Sequence, residues 1–217
     1  MSSIPPRFSL GFSLIELLVV IAILGLLATF AIPALSSIGQ ARGVSEAAYQ
    51  ITAAVELARS EAVSRQTFVW MGLQPQTNSG NLDLRVGLVY SKDGTTSTAA
   101  ANLAPIGRPL LLQRVGMVGV GSAGFDVGTN LSGAANLSDF TGGMTFQIGQ
   151  ASFLNRSTFT LTPLGEATTN ATPASTAGFD PRIAVGLRQA RGTTLIPGND
   201  IAVVIDGSVG TPTIYRK

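Results

Sequence analysis

The side chains that most often carry out catalysis are scarce in this sequence. The chain contains neither histidine nor cysteine. Zinc sites built on these residues are therefore excluded, as are mechanisms that need a histidine base or a cysteine nucleophile. No disulfide can form either. The composition gives no support for an enzyme, and we expect a non-catalytic protein without a cofactor.

The aspartates show no spacing typical of a metal site. They are scattered, without the pattern of a calcium loop, at Asp126, Asp139, Asp180, Asp200 and Asp206. Residues 119–124 fit a GxGxxG pattern, but a dinucleotide site needs a helix to open at the last glycine. Residues 125–138 have no helical pattern. We interpret the glycines as a loop and place no metal or nucleotide.

One carboxylate, Glu16, lies at the head of a long uncharged segment. Residues 17–35 read LLVVIAILGLLATFAIPAL, and Thr29 is their only polar side chain. As a helix this stretch is roughly 28 Å long, close to the thickness of a hydrocarbon core. The next charge is Arg42. A helix that is apolar on every face at this length is typical of a membrane segment.

Two ordinary explanations of this segment remain open. A secretory signal peptide would use Ala34-Leu35-Ser36 as its cleavage site, but such peptides have a basic start and a shorter apolar core. A single-pass anchor would place Glu16 at the membrane interface. A carboxylate within lipid is strongly unfavourable unless it meets a cation. Glu16 therefore needs either the interface or a partner.

The residues around Glu16 resemble the type III signal of type IV prepilins and type II secretion pseudopilins. They read Gly11-Phe12-Ser13-Leu14-Ile15-Glu16, and Pro33 follows deep in the apolar run. The resemblance implies that a prepilin peptidase cuts between Gly11 and Phe12 and then methylates the new amine of Phe12. It implies that Glu16 neutralises the Phe12 amine of a neighbouring subunit during assembly. Pro33 removes a backbone donor, so a helix kink is expected there.

A second helical pattern follows the apolar run. From residue 44 onward, apolar residues recur at helical spacing and predict one buried stripe. Its members are Val44, Ala47, Ala48, Ile51, Val55, Ala58, Ala62 and Val63. Glu56 with Arg59, and Glu61 with Arg65, have the spacing of ion pairs on the exposed side. This half of the helix should pack against a head domain.

From residue 67 onward the pattern predicts an all-β head. Short apolar segments alternate with turn residues. The predicted strands are 67–73, 84–90, 109–115, 144–148, 157–162, 182–187, 201–205 and 212–215, with a hairpin loop at 206–211. Residues 91–104, 121–139 and 166–178 are predicted loops.

The predicted fold class is therefore α+β and pilin-like, with a long N-terminal helix packed on an antiparallel β-sheet head. We divide the chain into a leader (1–11), a transmembrane and assembly helix (12–35), an amphipathic helix (36–66) and a β-rich head (67–217).

Two finer resemblances concern other parts of the chain. Residues 58–66, ARSEAVSRQ, followed by strand-like TFVW, look like the end of the helix in the H-type minor pseudopilins and FimT-like minor pilins. Residues 161–167, LTPLGEA, and 202–217, AVVIDGSVGTPTIYRK, are similar to the pilin-like family called Verru_Chthon cassette protein D.

These resemblances imply a structural subunit, a minor pilin or pseudopilin, anchored once in the inner membrane with its head in the periplasm. It would then pass into a filament, either periplasmic or on the cell surface. The implied partners are prepilin peptidase, other pilins through helix–helix packing, an assembly platform in the inner membrane, and lipid before assembly. Secretion, adhesion and DNA uptake all remain open as the task of the filament.

The C-terminal stretch allows one alternative function. Its basic residues outnumber Asp200 and Asp206 over positions 181–217, and they are Arg182, Arg188, Arg191, Arg216 and Lys217. Some FimT-like minor pilins bind DNA through such a region, so the resemblance implies phosphate contacts that weaken with salt. The plainer interpretation is that these side chains lie on solvated strand faces. The net charge of +2 for the whole chain gives no independent reason to expect DNA.

Overall fold

The computed structural model describes residues 13–128, 131, 133–138, 144–154, 157–170, 172–173 and 179–216, with only the backbone described for 28–42. The chain divides into two units, with the boundary between Gln40 and Ala41. The elements are α1 (Leu14–Arg65), β1 (Val69–Asn78), β2 (Asn81–Ser91), a 3-10 helix (Ala100–Asn102), β3 (Leu103–Pro105), β4 (Leu110–Leu112), β5 (Val115–Val118), β6 (Ala135–Asn136), β7 (Phe146–Ile148), β8 (Ala151–Phe153), β9 (Thr158–Leu161), β10 (Ala167–Thr168), β11 (Arg182–Arg191), β12 (Thr194–Leu195), β13 (Ile201–Asp206) and β14 (Pro212–Arg216).

The first unit contains the beginning of α1. The carbonyl of Ser13 accepts hydrogen bonds from the amides of Glu16 and Leu17, at 3.0 and 3.1 Å, and so starts the helix. The helical backbone continues through Pro33, whose side chain lies outside the described part, so the expected kink stays a prediction. Phe12, the predicted first helical residue, also lies outside it.

The hydropathy of the helix can be assessed only where its side chains are described. Within those residues, no helix combines the length and the hydropathy needed to cross a membrane. The apolar run at 17–35 passes at residue 28 into the segment for which only the backbone is described.

In the second unit, the rest of α1 is amphipathic as predicted. Every position of the predicted stripe is buried except Val63, which is 40% exposed. Ala54, which was not assigned to the stripe, is buried instead. Of the two predicted ion pairs, Glu61 and Arg65 form a salt bridge.

Two sheets, antiparallel except for one short strand pair, share a core with this half of the helix, and the α+β class is confirmed. The first sheet has the order β10-β9-β1-β2-β3, with β4 also paired to β2. The second has the order β12-β11-β13-β14, with β5 and β6 also paired to β11. A separate hairpin joins β7 to β8. The head is thus more divided than the single antiparallel sheet that we expected, and the β6–β11 pair is parallel.

The main core lies between α1 and the inner faces of both sheets. Strand alternation sends Val69 and Met71 of β1 toward the helix, with Val185 and Val203 from the second sheet. The outer face of the first sheet is covered by the β7–β8 hairpin, which buries Trp70. Two apolar clusters therefore form, one on each face of the first sheet, from strands that have only a weak pattern in the sequence.

Two glycines allow the β7–β8 hairpin to lie close to the first sheet. Gly72 and Gly87 are direct partners across β1 and β2. A Cβ on Gly87 would lie 2.4 Å from Cζ of Phe153, and one on Gly72 would lie 2.8 Å from Cζ of Phe146. The rings of Phe146 and Phe153 stack on each other with centroids 4.8 Å apart. The aromatic rings occupy the space that side chains at these glycines would need.

The predicted hairpin at 206–211 joins β13 to β14 and also closes the head. The amide of Ala167 donates to the carbonyl of Gly207 at 2.7 Å, and the amide of Gly207 donates to Pro181 at 3.3 Å. Since Ala167 belongs to β10, this hairpin ties the second sheet to the edge of the first. A Cβ on Gly207 would lie 1.5 Å from the carbonyl oxygen of Asp180, so only glycine fits there.

The other strand predictions are confirmed in position but not in length. Each predicted strand overlaps an observed one, and 109–115 is divided into β4 and β5 by a turn in which Arg114 has a φ of +56°. The short strands β3, β6, β8, β10 and β12 were not predicted. Residues 120, 121, 123 and 124 of the GxGxxG segment lie in turns, with no helix after them through residue 128.

Candidate functional site

The candidate site is the exposed start of α1 around Glu16. Glu16 lies in the first helical turn, where the positive end of the helix dipole favours a carboxylate. Every described side chain from Ser13 to Leu27 is exposed, including Leu14 at 81% and Leu24 at 58%. This part of the helix is therefore apolar around its whole circumference, with one carboxylate near its beginning.

This arrangement can pack against lipid or other apolar helices, and it provides one negative charge that needs a partner. The described residues offer Glu16 no salt bridge. A carboxylate brought into an apolar environment without a cation is strongly unfavourable. If this stretch enters lipid or packs between other helices, Glu16 needs a cation that the described residues do not supply. Gly11 and Phe12, the predicted processing residues, lie outside the described residues.

The sequence suggested that the basic residues near the C terminus are all exposed, but Arg188 is buried. Arg188 is 6% exposed, and its Nε and Nη2 donate to the two carboxylate oxygens of Asp200, each at 2.7 Å. Nη2 also donates to the carbonyl of Gly124 at 3.0 Å. The Asp200 hydrogen bonds raise the pKa of Arg188 above its ordinary value. The guanidinium thus holds the loop before β6 and does not face solvent.

The remaining arginines do not form one patch. Arg182 and Arg191 are exposed at opposite ends of β11, about 30 Å apart along the strand. Arg216 is exposed on β14, where it pairs with Ile201 of β13. Arg182 lies opposite Asp206 in the β11–β13 register, so its charge is partly balanced. Lys217 lies outside the described residues.

Other aspartates accept hydrogen bonds from threonine and serine residues of the head. Asp180 accepts from the hydroxyl of Thr169 at 2.7 Å, and Asp206 accepts from the hydroxyl of Ser208 at 2.6 Å. Asp93 accepts from the amide of Thr95 at 2.9 Å. Among the described residues, no group of three acidic side chains could hold a metal ion. Asp139 lies outside them.

Sequence reasoning missed an apolar groove on the head, which we call the α1–β4 groove. It is bounded on the helix by Gln50, Ala53, Ala54 and Leu57, and elsewhere by Val86, Leu88, Ile106, Gly107, Arg108 and Leu110. A signal was present, since Tyr49, Ala53 and Leu57 recur every four residues on the exposed side of α1. The strand side could not be foreseen, because it depends on the pairing of β4 with β2.

Comparison with known proteins adds evidence at the N terminus alone. Residues 7–32, which make up 26 of the 217 residues, match the family model described as the prokaryotic N-terminal methylation motif. No curated protein matches the chain, and no solved structure matches it. The matched motif supports a type IV pilin-like chain that is a substrate of prepilin peptidase, and such chains are structural subunits. Glu16 and the exposed helix lie within the matched segment.

Proposed function

We propose that this chain is a minor pilin or pseudopilin, a structural subunit of a type IV pilus-like or type II secretion filament. Prepilin peptidase removes residues 1–11 and methylates the amine of Phe12. The chain waits in the inner membrane with residues 12–35 as its anchor and its head in the periplasm. The assembly platform then transfers it into a filament of related subunits.

The observation that carries this proposal is the methylation motif at residues 7–32, together with the exposure of every described side chain from Ser13 to Leu27 at the start of α1. An apolar helix in water is unfavourable by about 25 cal/mol for each Å² of apolar surface. Lipid covers that surface before assembly and neighbouring helices cover it afterwards. This would account for the exposure of the apolar side chains at residues 17–27.

Glu16 has a specific role in the proposal. Cleavage creates a new positive charge at Phe12, close to the depth at which Glu16 of a neighbouring subunit lies. Their pairing removes two uncompensated charges from an apolar environment, and it is satisfied at one axial register. Glu16 therefore selects the correct stagger between subunits.

The finer assignment to the H-type and FimT-like subgroup, or to Verru_Chthon cassette protein D, is part of the proposal. It is supported by the position of the ARSEA segment, since α1 ends at Arg65 and β1 begins at Val69. It is also supported by the hairpin at 206–211, which lies within the C-terminal resemblance.

The first test is the mature N terminus, measured by mass spectrometry in cells with and without a prepilin peptidase. We expect a methylated Phe12 when the peptidase is present and Met1 when it is absent. A chain that begins at Met1, or after Ser36, in both strains would show that the motif is not processed. The protein would then be an ordinary anchored or secreted β-domain.

The alternative function, DNA binding through the C-terminal arginines, is less well supported because the exposed cations are dispersed. Its test is retention of DNA by the full chain in detergent as salt is raised. Binding that falls with salt, and that is lost in Arg182→Ala/Arg191→Ala/Arg216→Ala, would support it. Absence of retention at low salt would exclude it.

A further inference from the structure

The α1–β4 groove is a large apolar concavity on the surface of the head. It encloses about 310 Å³ between about two turns of α1 and the segment that leads into β4. Its floor is formed by Ala54, Val86 and Leu88, which are buried in the main core. The small side chains of Ala53 and Ala54 allow another backbone to approach closely.

The surface around the groove is also apolar. Tyr49 is 55% exposed and Leu57 is 47% exposed on the helix side, and Leu110 is 41% exposed on the strand side. A contiguous exposed apolar surface on a folded domain marks a place where something else binds. Nothing in the described part of this head covers it.

The floor of the groove carries no charge. Arg108 lines the groove and is exposed, whereas Glu46 and Glu56 are exposed on α1 and do not line it. None of the three forms a salt bridge with another described residue. An apolar centre with a polar rim is the usual anatomy of a protein–protein interface. The occupant must therefore be uncharged along the length that enters the groove.

The length of the groove fits two turns of a helix. From Gln50 to Leu57, α1 rises by about 10 Å, which matches the distance over which a docked helix presents three or four side chains. Residues 17–27 form such a helix. They carry no charge, and their large aliphatic side chains are all exposed. Each copy of the chain also supplies one such segment for each groove.

We propose that the α1–β4 groove receives the uncharged helical stretch at residues 17–27 of a second copy of this chain. The proposal rests on the filament function, and it adds a binding site on the head that the N-terminal motif does not imply. The aliphatic side chains of the incoming helix fill the groove, while the exposed guanidinium of Arg108 stays hydrated at its edge. Burial of apolar surface on both sides stabilises the contact.

The test is disulfide cross-linking between two tagged copies of the full chain in cells that carry the assembly machinery. Since the chain has no cysteine, every disulfide comes from the introduced residues. One copy carries Leu57→Cys in the groove. The other carries a cysteine in turn at Ile23, Leu24, Leu26 or Leu27, which together sample the faces of one helical turn. We expect the dimer that carries both tags to form in high yield with cysteines on one or two neighbouring faces of the helix, and in low yield with the others.

Two controls separate docking from random collision. Thr213→Cys is exposed on β14, in the other sheet, and should give no dimer above background with the same partners. Ala53→Glu places a charge in the groove at an exposed position, so it should leave the head folded and lower cross-linking at least fivefold. Thr213→Glu is the matched change outside the groove and should leave cross-linking unchanged.

The outcomes are distinguishable from those of the filament proposal. Equal cross-linking of Leu57→Cys and Thr213→Cys, in cells where Phe12 is the mature N terminus, would overturn the groove proposal and leave the filament function standing. Dimers formed only between two Leu57→Cys copies would also overturn it, because the groove would then meet another groove. Specific cross-linking in cells where Phe12 is not the mature N terminus would support the groove contact and overturn the filament function.

Discussion

The two ends of α1 have the same backbone conformation but opposite relations to the rest of the chain. Residues 13–27 expose every side chain, whereas residues 44–62 bury one face completely in the head. The difference follows from the sequence pattern, because the first stretch is apolar on all sides and the second is apolar at helical intervals. The first must be stabilised by molecules outside the chain, and the second is stabilised by the chain itself. The following predictions test that division, beginning with the largest effect.

The largest contrast is between the two charged groups that lie in apolar settings. Arg188→Ala leaves Asp200 buried without its cation and should lower the free energy of unfolding by about 3–5 kcal/mol. Glu16→Gln should leave that free energy unchanged and should abolish incorporation into filaments. Pulse proteolysis of the full chain in detergent measures the first quantity, and the amount of subunit in sheared filaments measures the second. Equal loss of stability in both variants would contradict the division.

The next contrast uses one residue type in both halves of the helix. Ile51→Ala removes a fully buried side chain and should cost about 2–5 kcal/mol of stability. Ile21→Ala changes a side chain that is 59% exposed, so the stability of the head should not change beyond about 0.5 kcal/mol. Chemical unfolding, followed by the fluorescence of Trp70 in the head, measures the free energy of unfolding of both variants. A destabilised Ile21→Ala variant would mean that the first stretch also packs on the head.

Replacing a glycine by alanine in the head and in the exposed helix should give a smaller difference in stability. Gly87→Ala forces a methyl group against Phe153 and should cost about 1–3 kcal/mol by overpacking. Gly25→Ala, in the exposed helix, meets no atom within 4 Å and should leave head stability unchanged. Thermal unfolding of both variants tests this. The double variant Gly87→Ala/Phe153→Leu should recover part of the loss, and failure to recover would place the cost elsewhere than at the ring.

The smallest predicted effect is a loss of stability at acidic pH. Hydrogen bonds from the hydroxyl and the amide of Ser208 hold the pKa of Asp206 below its usual range, and the amide and hydroxyl of Thr95 do the same for Asp93. A carboxyl whose pKa is lowered on folding stabilises the protein above its unfolded pKa, about 3.9, and loses that effect as pH falls. Stability should therefore be flat down to about pH 4 and decline below it. Asp206→Asn should make the decline shallower, and an unchanged slope would assign the acid sensitivity to other groups.

The sequence predicts best those features that depend on neighbours along the chain. The stripe from Val44 to Ala62 follows from the helical period, and the 206–211 hairpin follows from its glycines. Val63 was misassigned because it adjoins the stripe at the rim, where Gly165 leaves it partly open. The helical spacing of apolar residues therefore predicts which residues lie at the centre of a buried face better than it predicts which lie at its edge.

Features that depend on distant partners could not be predicted. Arg188 reads as a solvated cation in the sequence, and only the pairing of β11 with β13 brings it to Asp200. The division into two sheets has the same origin, since β4 and β5 are adjacent in the chain but pair with different strands. The strand side of the α1–β4 groove likewise depends on a distant partner, because β4 pairs with β2. Glu16 was assigned from the residues beside it, which lie in the matched motif, and its role in assembly stays a prediction.

The bridge through Gly207 has a consequence for the order in which the protein is made. Its partners, Ala167 and Pro181, leave the ribosome well before it does, yet the edge of the first sheet stays open until Gly207 arrives. Under the proposed function, the first part of α1 would enter the membrane while the head is still unfinished. Folding of the head is completed only after synthesis has almost ended, because β13 and β14 are the last strands to appear. We expect a chain that ends before residue 200 to be inserted normally and then degraded by proteases outside the membrane.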